Sequence, residues 1–272
     1  MADPRAHETK ETTTDRWGGQ PRRLGPRDWD ATSYDRLADP MTRWGANVLA
    51  RLSLLGDETV LDAGCGSGRV TERLAERLTA GRVIALDGSG AMLTAARERL
   101  ARFGGRVTYV EADLERRLPV SPASVDAVLS TATFHWIHDH DALFRNLAGV
   151  LRPGGRLIAQ CGARGNIARV MAAIAGAGER WAGPWTLATP EETAKRLERA
   201  GFAEVETWTN DEPTQIEPGD PLHEYLRTVI LGAHLERLAA DRRESFVRAV
   251  AAGIPDGMID YVRLNIVATR KA

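Results

Sequence analysis

Apolar and polar positions along the 272-residue chain alternate between short buried runs and stretches with helical spacing. Residues 59–61 bring β-branched and apolar side chains, and Val70, Leu74 and Leu78 then recur on one helical face. Residues 82–87 repeat the buried run, followed by a helix over 90–100 that turns Leu93, Ala96 and Leu100 to the sheet. The pattern predicts a third strand over 106–110 and a fourth over 124–131. Leu143, Leu147 and Leu151 line up on one helix, which Pro153 and Gly154 stop before a fifth strand running to Cys161. Strands that alternate with helices predict an α/β fold built on a mostly parallel sheet.

The flanks read differently. Residues 29–55 are helical in outline, with Tyr34, Leu37, Met41, Trp44, Val48 and Leu52 on an apolar stripe that Pro40 divides into two helices. After the fifth strand come a helix over 167–175, then a capping box at Thr189-Pro190-Glu191-Glu192 whose helix ends at Gly201. A strand over 202–208 follows, then helices over 221–233 and 241–252. Alternation over 260–269 marks a last, antiparallel strand. Helices inserted late in such a sheet form a lid, here expected from 29–55, 164–188 and 217–256, with Trp181, Trp185 and Tyr225 as candidates to line it. Residues 1–28 have few aliphatics and mixed charge, which predicts a disordered arm ahead of a single domain over 29–272.

Composition narrows the function classes. The net charge is −1 with 27% charged residues, so no global field favours nucleic acid. Apolar runs stay short of the ~18 residues a membrane span needs, and the N-terminus lacks the apolar core of a signal peptide. Cys65 and Cys161 fall near the ends of strands with the fourth strand expected between them. That separation of ~10 Å argues against a disulfide and points to a cytoplasmic location.

The chemistry concentrates after the strands. Val60-Leu61-Asp62-Ala63-Gly64-Cys65-Gly66-Ser67-Gly68 reads as a strand, a tight glycine turn and a helix start, which directs backbone N–H groups at a ligand. Arg69 holds the position where a dinucleotide fingerprint has its third glycine, and three small residues in five suit a ligand without a diphosphate. Asp87, 23 residues beyond Gly64, suits a ribose diol; the competing reading is a helix N-cap. Met92 is placed either to flank a base or to pack. After the fourth strand, His135 is a candidate general base or substrate hydrogen-bond partner, or a packed side chain. His138, Asp139, His140 and Asp141 lack a ligand-like Cys or Glu partner, so no metal is expected and an acid there is read as starting the next helix.

The glycine segment resembles motif I of the class I S-adenosylmethionine-dependent methyltransferases, an acid followed by G-x-G-x-G. Trp29-Asp30-Ala31-Thr32-Ser33-Tyr34-Asp35 and Thr131-Ala132-Thr133-Phe134-His135-Trp136-Ile137 are similar to the entry helix and the post-strand-four segment of the trans-aconitate-type and biotin-pathway-type members. Leu151-Arg152-Pro153-Gly154-Gly155-Arg156-Leu157 has the family's wording before strand five. The resemblance covers 29–162. It implies a Rossmann-like seven-stranded sheet with the last strand antiparallel, helices on both faces, and S-adenosylmethionine as cofactor. It further implies methyl transfer by direct displacement to a small-molecule acceptor, a carboxylic acid or a secondary metabolite. On it, Tyr34 closes over the cofactor, Asp62 orients its methionyl end, and Gly64, Gly66 and Gly68 pass beside it. Asp113 meets the adenine amino group, with Leu114 beside it, and Ser130 completes the set. A carboxylate acceptor needs no base; a hydroxyl or amine would give its proton to His135. Arg43 and Arg164 are candidates to face an acidic acceptor. Two other classes remain open at this point: a protein that binds the cofactor without transferring methyl, and a nicotinamide oxidoreductase with an irregular glycine loop.

Overall fold

The computed structural model describes Leu37 and residues 39–272. The expected N-terminal arm and Tyr34 lie outside the described residues. In chain order the strands are β1 (Thr59–Ala63), β2 (Arg82–Asp87), β3 (Val107–Glu111), β4 (Val125–Thr131), β5 (Leu151–Gly162), β6 (Phe202–Asp211), β7 (Thr214–Gln215), β8 (Met258–Ile259) and β9 (Val262–Arg270). The helices are α1 (Asp39–Ala50), α2 (Arg69–Arg77), α3 (Gly90–Leu100), α4 (His140–Val150), α5 (Ala168–Gly176), α6 (Pro190–Arg199), α7 (Asp220–Tyr225), α8 (Gly232–Arg237) and α9 (Ala240–Ala252).

Seven strands form one sheet in the order β3-β2-β1-β4-β5-β9-β6, and β7 and β8 pair separately. β1 to β5 are mutually parallel, while β9 runs antiparallel between β5 and β6. The seven-stranded sheet with an antiparallel last strand is therefore present. The order turns back between β1 and β4, so a crevice opens at their carboxyl ends, where α/β sheets bind ligands. Val60, Leu61 and Ala63 of β1 are sealed because helices cover both faces of the sheet.

Three apolar clusters result. One face of the sheet packs Leu143, Phe144 and Leu147 of α4 with Leu197 of α6. The other packs Val48 of α1 and Leu52 just beyond it, Leu74 of α2, and Leu93 and Leu100 of α3. A third cluster joins Trp44 of α1 to Val170 and Ile174 of α5, Leu222 and Tyr225 of α7, and Phe246 and Val250 of α9. Arg77 donates from its guanidinium to the carbonyls of Leu49 and Leu52 (2.7 and 2.9 Å), closing the carboxyl end of α1.

The helix expected over 221–233 is broken. α7 passes into a wide turn at Leu226–Ile230, where the Leu231 N–H donates to the Leu226 carbonyl at 2.7 Å, before α8 begins. The extra residue in that turn lets Leu226, Ile230 and Leu231 all bury, which regular spacing would not allow. The sixth strand also runs past 208 to Asp211: as an edge strand it pairs on one side only, so polar residues there cost little.

Candidate functional site

The site begins where β1 ends. The N–H groups of Gly64 and Cys65 both donate to the Leu86 carbonyl (2.8 and 2.9 Å), bending the chain toward β2. Gly64, Gly66 and Gly68 have φ of 83°, 53° and 85°, values that favour glycine. Their surroundings differ. A Cβ on Gly64 would stand 2.1 Å from the Thr133 hydroxyl, whereas one on Gly66 would meet no atom within 4 Å. A Cβ on Gly68 would press on Leu100 and Ala96. Gly64 and Gly66 line a cavity of about 1390 Å³; Gly68 does not, and serves the packing of α2 on α3.

Asp87 closes the loop from β2. Its carboxylate accepts from the Gly66 N–H at 2.8 Å and from the Ser89 N–H at 2.9 Å, and it lines the cavity. Ser89, not Asp87, caps α3, its hydroxyl accepting from the Met92 N–H, so the N-cap reading of Asp87 fails. Burial pushes the Asp87 carboxyl above the usual carboxylate range, and the N–H groups of Ser89 and Gly66 oppose this. Met92, Asp113 and Leu114 stand on the same wall. One Asp113 oxygen accepts from the Glu115 N–H at 2.9 Å, and the other pairs with Arg116 at 3.4 Å.

Asp62 lies behind the loop rather than on the wall. Thr71 donates to one oxygen at 2.7 Å, while the other is enclosed without a partner. Burial pushes its pKa up to about 7, the Thr71 hydrogen bond opposing and the Asp87 charge adding. Ser130 does not reach the cavity either: its hydroxyl is buried and donates to the Ala63 carbonyl at 2.6 Å, tying β4 to β1. A hydroxyl shut inside a sheet takes the nearest carbonyl, so the Ser130 side chain ties strands together and does not line the cavity.

His135 follows β4 in a short turn, Phe134–Trp136. It lines the cavity, and its Nδ1 accepts from the Gly162 N–H at 3.2 Å. Next to it, Asp139 caps α4 by accepting from the Ala142 N–H at 2.8 Å, and His140 bonds the Phe134 carbonyl at 2.9 Å.

The two arginines expected to face an acceptor do not. Arg43 is exposed on α1, and Arg164 pairs with Glu192 at 3.0 Å on the outside. Arg263 of β9 is a cavity-lining arginine instead. It is only 2% exposed, lines the cavity, and stacks its guanidinium 4.7 Å from the centre of the Trp44 ring. Arg69, Trp136, Trp185 and Arg237 share the wall. Arg263 reads as an outward position of an alternating strand. Its signal is a charge within a strand whose neighbours Leu264 and Ile266 are core, in a sheet covered on both faces.

This structure passes the test of fit to S-adenosylmethionine. It has a glycine cradle open at Gly66, a carboxylate fixed at the end of β2, and an enclosed acid oxygen without a protein partner behind the loop. Among the described residues no helix is long and apolar enough to cross a membrane.

Residues 60–155 match the family model described as a methyltransferase domain. The chain is 32% identical over 263 residues to a trans-aconitate 2-methyltransferase of Azoarcus sp. (strain BH72), covering 89% of this chain and 99% of that one. A trans-aconitate 2-methyltransferase of Variovorax paradoxus (strain S110) is 32% identical, with 90% and 99% covered. Among solved structures, a Haemonchus contortus phosphoethanolamine N-methyltransferase 2 bound to phosphomonomethylethanolamine and S-adenosylhomocysteine aligns with TM-score 0.62 at 18% identity, over 89% of this chain and 57% of that one. The [4+2]-cyclase SpnF aligns with TM-score 0.57 at 21% identity, over 91% and 87%; likeness at that level shows the fold and not the reaction. Similarity over nearly the whole of the curated relatives, together with the sheet order and the glycine-loop cavity, places this chain in the class I S-adenosylmethionine-dependent methyltransferases, close to the trans-aconitate type.

Proposed function

We propose that the chain methylates a carboxylate oxygen of a small organic acid. The observation that carries this reading is Arg263, a buried cation on the cavity wall beside His135 and above Trp44. A guanidinium that lines a cavity offers planar N–H donors that suit a carboxylate. That relatives of this chain are trans-aconitate 2-methyltransferases supports an acidic acceptor.

The chain's own residues have distinct tasks. Asp87, held by the Gly66 and Ser89 N–H groups, is positioned to accept from the ribose hydroxyls of the cofactor. Gly66 leaves room beside the loop for its methionyl end, Gly64 lets the chain turn there against Thr133, and Met92, Asp113 and Leu114 hold the adenine. Asp62 acts through the loop, one oxygen held by Thr71 and the other enclosed without a protein partner. When bound, S-adenosylmethionine supplies a methyl group on a sulfonium centre, whose C–S bond breaks with the electron pair left on sulfur. The acceptor oxygen forms the new C–O bond, so an anion and a cation give a neutral ester and a thioether, and no proton leaves. Orientation of the two partners contributes up to ~7–11 kcal/mol. Of the expected lid segments, the described parts, 39–55, 164–188 and 217–256, keep water out of the cavity in this reading. Two buried free thiols fit a reducing compartment, so we place the protein in the cytoplasm, without nucleic-acid or membrane partners.

Calorimetric titration with S-adenosylmethionine, S-adenosylhomocysteine and NADH, followed by mass spectrometry of a panel of small acids, phenols and amines, tests this. Binding of the two sulfur ligands and methyl ester formation on an acid support the reading. Methylation confined to phenols or amines overturns it.

A further inference from the structure

His135 is the group on the cavity wall whose protonation is dictated by a backbone atom. The Gly162 N–H donates to Nδ1 at 3.2 Å. An amide N–H is a donor only, so Nδ1 carries a lone pair and the proton of the neutral ring sits on Nε2. The ring has little freedom to change this. The His135 backbone N–H reaches the Cys161 sulfur, its carbonyl accepts from the Thr186 N–H at 2.9 Å, and Trp136 packs with ring centroids 5.3 Å apart. Turning the ring over would break the bond to Gly162, and protonating Nδ1 would set two donors against each other.

The charges around the ring work in the same direction. Arg263 on β9 and His140 on α4 face it, and Cys161 on β5 is a thiol pushed up to about 12 by burial, hence neutral. Burial first, then Arg263 and His140, hold the His135 pKa well below its ordinary value. The ring nitrogens Nδ1 of His140 and of His234 are sealed without partners; the His135 ring lines the cavity, and with Nδ1 held by Gly162 its other nitrogen, Nε2, is the one left to a ligand.

We infer that His135 is a fixed hydrogen-bond donor, presenting Nε2–H to the acceptor's carboxylate beside the Arg263 charge, and is not a base. This rests on the carboxylate reading above and adds a specificity rule to it. Acceptors that arrive deprotonated are held by a donor and a cation, while hydroxyls and amines find no group to take their proton.

The test has two independent arms. In the full chain labelled with ¹⁵N-histidine, the His135 signal, identified by its loss in His135→Gln, is expected to show bare Nδ1 and protonated Nε2 from about pH 5.5 to about pH 8.5. A proton on Nδ1, or titration to the imidazolium in that range, overturns the inference. In the second arm trans-aconitate is the acceptor probe. His135→Ala is expected to lose about 10- to 100-fold in kcat/KM, carried by KM. His135→Gln, which restores an amide donor, is expected to recover most of it, with S-adenosylhomocysteine affinity unchanged in both. A fall of about 10²–10⁴ in kcat together with loss of an ionisation from the pH profile is the signature of a base and contradicts the inference. If the unaltered protein does not methylate trans-aconitate or other acids, the carboxylate reading fails, while the tautomer measurement still decides the state of the ring.

Discussion

Gly66 offers the sharpest separation of ligand binding from folding. Its φ of 53° lies in the left-handed region, and an added Cβ would touch nothing within 4 Å. In Gly66→Ala the fold therefore bears only the backbone penalty, about 1–2 kcal/mol, which for a chain of this size is a fall in Tm of about 2–8 °C. Gly66 lines the cavity and its N–H donates to the Asp87 carboxylate at 2.8 Å, so the added methyl would take space from a ligand held at this loop. Crowding a filled site costs about 1–3 kcal/mol, so S-adenosylmethionine affinity should fall roughly 5- to 150-fold. Gly68→Ala is the control. Its φ is also positive, at 85°, and its Cβ would come 3.1 Å from Leu100, so it should lose at least as much Tm as Gly66→Ala. It is off the cavity wall, so the folded protein should keep its affinity. Thermal unfolding by circular dichroism and calorimetric titration read the two quantities separately. Unchanged cofactor affinity in Gly66→Ala, or equal loss in both variants, would refute the assignment of the loop.

Asp62, with a pKa of about 7 against an ordinary 3.8, binds a proton in the folded state that the unfolded chain has released. Stability should therefore fall as pH rises from about 4 to about 7 and level off above, by at most about 4 kcal/mol. Asp62→Asn should flatten that stretch of the denaturation profile, and an unchanged slope counts against the burial account. Ser130→Ala should cost about 1–2 kcal/mol in urea unfolding, by leaving the Ala63 carbonyl without its 2.6 Å partner. Its cofactor affinity should be unaltered; a loss there would return Ser130 to the binding set. Arg263→Gln should raise KM for an acidic acceptor more than 10-fold with cofactor affinity kept, and an unchanged KM would remove Arg263 from the acceptor site.

The sheet was legible because its evidence is local. Runs such as Val83, Ala85 and Leu86 are apolar on both faces, and the capping box at Thr189 with Glu192 forms as the spacing requires. Asp87 was legible because an acid at a strand end after a glycine loop has few uses, and Ser89 proved to be the cap beside it. What escaped depends on distant partners. The sequence spaces Gly68 like Gly64 and Gly66, and only the position of α3 makes it a packing glycine. Ser130 sits one residue from the strand end, and its orientation toward Ala63 follows from β4 pairing with β1. Arg263 was not singled out by the alternation over 260–269; only the place of β9 between β5 and β6 puts it on the cavity wall near His135. Arg43 and Arg164 drew attention by being near motifs, yet nearness in sequence left both on the surface. The base role weighed for His135 turned on Gly162, 27 residues away, whose N–H occupies Nδ1.

The most direct measurement of the central claim couples product to proton. Trans-aconitate and S-adenosylmethionine are incubated with the protein in weakly buffered solution near pH 7. Methylated product is counted by mass spectrometry, S-adenosylhomocysteine by chromatography, and released acid by a pH indicator. A carboxylate acceptor predicts one methyl ester per S-adenosylhomocysteine with proton release near zero. About one proton per turnover, or a methyl group on carbon, nitrogen or a hydroxyl oxygen, would contradict it.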